Sequence, residues 1–160
     1  MNKRTITPQN ALTRLETLCA RSEQCTHDIQ QKLYKWGISS SDSCKIIKSL
    51  TDRKFIDDNR FAEAFVRDKF RFSKWGRLKI VQALSLKHIP RHIINDAIEL
   101  IEPDDYESTL ISHISQKAKS IDMPDSFEGK TRLFRFMASR GFEPSLIIKI
   151  INSRKWAGQE

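Results

Sequence analysis

Apolar residues recur along this chain at spacings of three and four, and no strand-like alternation persists, so the pattern predicts helices throughout. Ala11, Leu12, Leu15, Leu18 and Cys19 mark a first helix starting at Gln9 or Asn10. Thr26 is the expected N-cap of a second, with Ile29, Leu33 and Tyr34 inward and Gly37 as its terminal glycine. After a turn at Ser39–Ser41, a third carries Ile46, Ile47 and Leu50. A fourth is predicted from Asp58 to about Phe72, with Phe61, Ala62, Phe65, Val66 and Phe70 on its apolar side and Phe72 near its end. Asp57 is its expected cap, because a carboxylate there accepts from the free N–H groups of the first turn. Ile56 and Phe61 have the spacing of a hydrophobic staple. Residues 73–76 break the helix. The next runs from Arg77 to about His88, with Ile80, Val81, Ala83, Leu84 and Leu86 inward.

The pattern then repeats. Ile29, Leu33, Gly37, Ile38, Ile46 and Ile47 match Ile80, Leu84, His88, Ile89, Ala97 and Ile98 at a constant offset of 51. Leu133, Met137, Gly141, Phe142, Ile150 and Ile151 follow at a further offset of 53. Pro90 and Pro144 sit near the N1 position of the third helices, where proline loses no hydrogen bond. Asp125 with Glu128 reads as a capping-box start. The expected organisation is an N-terminal arm at 1–9, then three-helix repeats at 10–56, 57–103 and 104–160. Each repeat is too small to bury much core alone, so neighbours should lean on one another in an elongated, all-α array.

Charge sharpens this picture. The formal net charge is +8 and the pI about 9.6, a balance that favours an acidic partner such as nucleic acid or an acidic protein surface. The densest stretch is Arg67, Lys69, Arg71, Lys74, Arg77 and Lys79, six cations against the single carboxylate of Asp68. Trp75 lies in the helix break within it, either wedged against its own bundle or exposed as an interface anchor. Phe72 divides in the same way between core and surface. Lys130, Arg132, Arg135 and Arg140 repeat the basic theme, followed by a tail with Arg154, Lys155 and Trp156. Cys19, Cys25 and Cys44 read as free thiols, Cys19 and Cys44 as small core or boundary residues; their spacing with His27 fits no usual zinc finger. Asp57–Asp58 and Asp104–Asp105 read as helix starts rather than as acid/base pairs. No nucleophile elbow, phosphate loop or metal spacing occurs, so no enzyme, metal or cofactor is expected. No 18-residue apolar run or secretory signal is present, and the expectation is a cytoplasmic monomer without a membrane association.

The stretch IDDNRFAEAFVRDKFRFSKWG, followed by a helix ending in KHI, resembles the central signature of the RecX family, small bacterial regulators of the RecA recombinase. The resemblance implies three tandem helix-turn-helix-like units, curved as a whole, with no consistent cofactor requirement. It implies binding to the RecA–DNA filament and restraint of strand exchange, ATP turnover and coprotease action in repair and the SOS response. The expected contact surface is Arg67, Lys69, Arg71, Lys74, Trp75, Arg77 and Lys79, with weak direct nucleic-acid binding beside it. The alternative is a direct DNA-binding helix-turn-helix protein or transcription factor. Arg91, His92 and Asn95 would then open its reading helix, a thin set for base recognition.

Overall fold

The computed structural model describes residues 6–158, and among these it contains nine α-helices and no strand. They are α1 Pro8–Arg21, α2 Thr26–Lys35, α3 Ser40–Asp52, α4 Asp58–Arg71, α5 Arg77–Leu86, α6 Arg91–Glu99, α7 Pro103–Ala118, α8 Phe127–Ser139 and α9 Pro144–Ser153. The first helix starts earlier than its apolar spacing indicates. The Thr7 hydroxyl caps it by accepting from the Asn10 N–H at 3.2 Å, and Pro8 follows in the first turn. The beginning of the expected arm, residues 1–5, lies outside the described residues.

The repeat is visible in hydrogen bonds as well as in side chains. Gly37, His88 and Gly141 all adopt a left-handed backbone, with φ of 74°, 56° and 88°. Each donates its N–H to the carbonyl three residues back, on Tyr34, Ser85 and Ala138, at 3.0 Å in every case. The next residue, Ile38, Ile89 or Phe142, reaches back to Leu33, Leu84 or Met137 at 3.1, 3.2 and 3.3 Å. This is the Schellman arrangement, which satisfies the last carbonyls of a helix and turns the following apolar residue inward. The matched positions Ile29, Leu33, Ile80, Leu84, Leu133 and Met137 are all fully buried.

By compactness the chain divides into two units, whose boundary falls within α4, α5 and α6. The first comprises the chain up to Phe65 together with Leu84–Ala97. Ala11, Leu15, Ile29, Leu33, Ile46, Leu50 and Ile56 form its central cluster. The signature residues tie this unit together. Asp57 Oδ1 accepts from the N–H groups of Asn59 and Arg60 at 2.9 and 3.1 Å, capping α4 as expected. Asp58 Oδ1 accepts from the Thr26 N–H at 2.9 Å and so caps α2 from a distance. Thr26 is therefore not the cap: that position falls to Cys25, whose side chain makes no capping bond. Arg60 Nε donates to Glu23 Oε1 at 2.6 Å, and its Nη2 to the Lys54 carbonyl at 3.1 Å. Ile56 and Phe61 are both buried, and Phe65 is half-buried with its ring 5.7 Å from that of Phe61.

The second unit comprises Val66–Ala83 and the chain from Ile98 onward. Helices α7, α8 and α9 pack on one another around Leu110, Ile114, Leu133, Met137, Ile147 and Ile150. Tyr106 lies between Phe70 and Phe142, with ring centroids 5.8 and 5.2 Å away. Asp125 does not cap α8. Ser126 does, accepting from the Gly129 N–H at 3.0 Å, while the Asp125 carboxylate takes the N–H groups of Trp156 and Ala157 at 2.9 and 3.0 Å. Those two bonds, with the Ala157 one the stronger influence, hold the Asp125 carboxyl below its usual range. Trp156 is accordingly buried rather than part of an exposed basic tail, and its indole N–H donates to the Ile151 carbonyl at 2.9 Å.

Two apolar side chains assigned inward face solvent instead, Tyr34 at 81% exposure and Leu86 at 71%, and Phe72, left open between core and surface by the sequence, is 80% exposed. Each lies next to a fully buried or break position, where one residue is a 100° rotation, enough to leave the apolar stripe. Among the thiols, Cys25 is buried, Cys19 half-buried and Cys44 exposed, so Cys44 is not a core residue. No helix among the described residues is long and apolar enough to cross a membrane.

Candidate interaction surface

All seven residues of the predicted contact stretch belong to the second unit, and the fold sorts them into three groups. On α4, Val66 and Phe70 are buried, which turns Arg67 and Arg71 outward. Arg67 Nε lies 3.6 Å from the neighbouring Asp68 carboxylate, an exposed pair that contributes little to stability. Beyond α4, Lys74 adopts a left-handed backbone at φ 57°, and the Trp75 N–H reaches back to the Lys69 carbonyl at 3.0 Å. This reversal leaves Lys74 exposed beside Arg71 in sequence.

The second group is an aromatic clamp. Lys69 Nζ and Lys79 Nζ lie 4.7 and 4.6 Å from the centre of the Trp75 ring. Two ammonium groups at this distance are attracted by the electron-rich ring face, so the indole draws cations from two helices onto one half-buried site. Of the alternatives for Trp75, wedge and exposed anchor, the ring takes an intermediate position, partly covered by lysine stems.

Arg77 forms the third group, and its charge is answered within the unit. Its guanidinium sits 3.8 Å above the Tyr106 ring centre and 3.7 Å from Glu143 Oε1. Its N–H donates to the Tyr106 hydroxyl at 3.0 Å, and that hydroxyl donates to Glu143 Oε2 at 2.6 Å. Burial, then the bond to Glu143, pushes the Tyr106 phenol well above its ordinary range, so it remains a neutral donor. Arg77 is thus a strut of the α5 terminus before it is part of a surface.

A backbone junction holds the break in place. The Gly76 N–H donates to the Arg140 carbonyl at 2.7 Å and the Leu78 N–H to the Gly141 carbonyl at 2.9 Å. The free donors at the start of α5 are therefore satisfied by the free acceptors at the end of α8. A Cβ on Gly76 would fall 2.4 Å from the Gly141 backbone, so only glycine permits this approach. Arg140 Nη1 adds a bond to the Ser73 carbonyl at 3.2 Å.

Lys74 also edges a recess of about 250 Å³ with His113, Lys117, Phe136 and Arg140. Lys117 carries no signal in the local pattern. Its position four residues after His113 on α7 places both on one face, and only the packed α7–α8 pair turns that face toward Arg140. Burial, and then the nearby Lys74 and Arg140, lower the His113 pKa. Among the described residues no group of three or more His, Cys, Asp or Glu side chains is placed to hold a metal ion. Arg91, His92 and Asn95 are exposed at the start of α6.

Comparison with known proteins fits this geometry. Residues 57–98 match the family model described as RecX, second three-helix domain. The chain is 30% identical over 126 residues to the regulatory protein RecX of Clostridium tetani, covering 76% of this chain and 56% of that protein. It thus spans little more than half of that relative. With the regulatory protein RecX of Acinetobacter baylyi it shares 27% identity over 135 residues, 84% of this chain and 82% of the relative. The crystal structure of RecX from Lactobacillus salivarius superposes with a TM-score of 0.78 at 22% identity, covering 90% of this chain and 94% of that one. A second RecX crystal structure gives a TM-score of 0.75 at 20% identity, with 89% and 70% coverage. Signature, family model, relatives and fold agree, and the chain belongs to the RecX family of regulatory proteins.

Proposed function

We propose that the protein binds the RecA–DNA filament and restrains RecA-driven strand exchange, ATP turnover and coprotease action. The observation that carries this reading is that the family-matched segment, 57–98, also presents the exposed cations Arg67, Arg71 and Lys74 beside the Trp75 clamp. Cations around a partly covered tryptophan form a surface suited to an acidic protein–nucleic-acid assembly, because arginine and tryptophan dominate binding hot spots while the charges steer the encounter. Repeating units touching several protomers gain further from effective concentration.

The test is a RecA-dependent ATPase and strand-exchange assay with the parent and an Arg71→Ala/Lys74→Ala variant. Two exposed interfacial charges at about 0.5–1 kcal/mol each predict inhibition weakened by about fivefold or more. A folded variant with the parent's potency removes this surface from the mechanism. The rival reading, direct recognition of duplex DNA through Arg91, His92 and Asn95, predicts equal retention on naked and RecA-coated DNA. The filament reading predicts preference for the coated form.

A further inference from the structure

The recess beside Lys74 has a neighbour. Arg132 and Arg135, one helical turn apart on α8, line a second recess of about 420 Å³ that shares Lys117, Ser120 and Phe136 with the first. Five cations from three places in the second unit therefore line two adjoining hollows: Lys74 from the break, Lys117 from α7, and Arg132, Arg135 and Arg140 from α8 and its end. Neither lining contains a carboxylate. None of the five cations takes part in an ion pair among the described residues. Lys117 and Arg140 instead lie 4.8 and 5.1 Å from the centre of the Phe136 ring, which holds them close together. The His113 Nε2 atom is buried there without a hydrogen-bond partner among the described residues.

Like charges gathered this densely repel unless an anion answers them. The donors are spread over both recesses: the ammonium and guanidinium groups and the Gln116 amide offer more N–H groups than the two oxygens of a single carboxylate can receive, whereas consecutive phosphodiesters bring two non-bridging oxygens each, one linked group after another. Two joined recesses, each with its own cations, suit two linked phosphates better than one. We propose that this track seats consecutive phosphates of a nucleic-acid strand, independently of any contact with RecA. The aromatic ring and cations together match the pattern by which proteins follow a single strand without reading its sequence.

The experiment is anisotropy of a fluorescein-labelled oligothymidine of about 15 nucleotides, titrated at several salt concentrations. The binding variant is Lys117→Gln/Arg132→Gln/Arg135→Gln. The charge-matched control is Arg14→Gln/Lys35→Gln/Lys45→Gln, which alters cations of the first unit. The expected result is at least a tenfold loss for the binding variant, with a log–log salt slope reduced by about 2, since each lost phosphate contact removes about 0.7. The control should stay within about threefold of the parent. Lys74→Gly supplies a second arm. It relieves a left-handed non-glycine backbone while removing a cation, so the melting temperature should hold or rise as affinity falls. Equal losses in the two triple variants would overturn the proposal in favour of a diffuse charge effect. So would competition by polyglutamate as strong as that by unlabelled oligonucleotide, which would point to an acidic protein ligand. Competition by inorganic phosphate or thymidine monophosphate at the oligonucleotide's own concentration would overturn the strand in favour of a single phosphate. Because no RecA is present, these outcomes are separate from failure of the filament reading.

Discussion

Two cations three residues apart show how position decides a residue's role. Lys74 is exposed at a chain reversal, whereas Arg77 is held by the Tyr106 ring, the Tyr106 hydroxyl system and Glu143. Arg77→Ala should therefore cost about 1–3 kcal/mol in a denaturant melt, through lost ring contact and an abandoned hydrogen-bonded carboxylate, while Arg71→Ala stays within about 0.5 kcal/mol. Phe61→Ala, a truncation of a buried ring on α4, should cost about 3–5 kcal/mol. The thiols make a graded series. A chromogenic disulfide reagent should modify Cys44 first and Cys25 only on unfolding, because burial pushes the Cys25 thiol up to about 11. The folded pKa lies above the unfolded one, near 9, so this group's contribution is complete below pH 9 and is lost as pH rises toward 11. A Cys25→Ala variant should show a shallower loss of stability across that window in chemical denaturation.

At the scale of elements, helix ends carry much of the specification. The inward positions of the repeated helices and the stops at Gly37, His88 and Gly141 were legible in the chain, because local spacing and backbone sterics set them. The partners that complete the ends were not. Asp58 caps a helix start 32 residues away, Asp125 holds the backbone 31 and 32 residues away, and α5 begins on the carbonyls of Arg140 and Gly141, just past α8. Such bonds depend on packing that no local window contains, which is why Asp125 with Glu128 resembled a cap. The same limit applied to the basic stretch, where Glu143 lies 66 residues beyond Arg77 and the pattern alone could not assign it to a strut. Gly76→Ala should lower the melting temperature sharply, by a cost of at least about 1–3 kcal/mol, since the added methyl meets backbone rather than a side chain that can rotate away. Lys54→Gly, at φ 60° after α3, should raise stability by up to about 1 kcal/mol.

At the scale of the molecule, the sequence repeat and the compact unit are different divisions of one chain. Val66–Ala83 belongs with the chain from Ile98 onward, where Phe70 meets Tyr106 and Gly76 meets Gly141. A chain ended after Glu102 would leave Phe70 without Tyr106 and the α5 terminus without its acceptors. The expected outcome is slow amide exchange retained over α1–α3 and lost over residues 66–83, read by hydrogen-exchange mass spectrometry. Protection surviving across 66–83 would show that this segment holds its structure without the later helices.

The lysine pair over Trp75 has an optical consequence. The chain has three tryptophans: Trp156 is buried, while Trp36 and Trp75 are half-buried. Around Trp75 the ammonium groups of Lys69 and Lys79 create a positive local potential, which concentrates iodide and repels caesium. Its emission should then be quenched by iodide far more than by caesium, an asymmetry that fades with added neutral salt and that the buried Trp156 does not share. A partner that covers this indole would erase the difference between the two ions, so the molecule carries its own fluorescent gauge of occupancy at that surface.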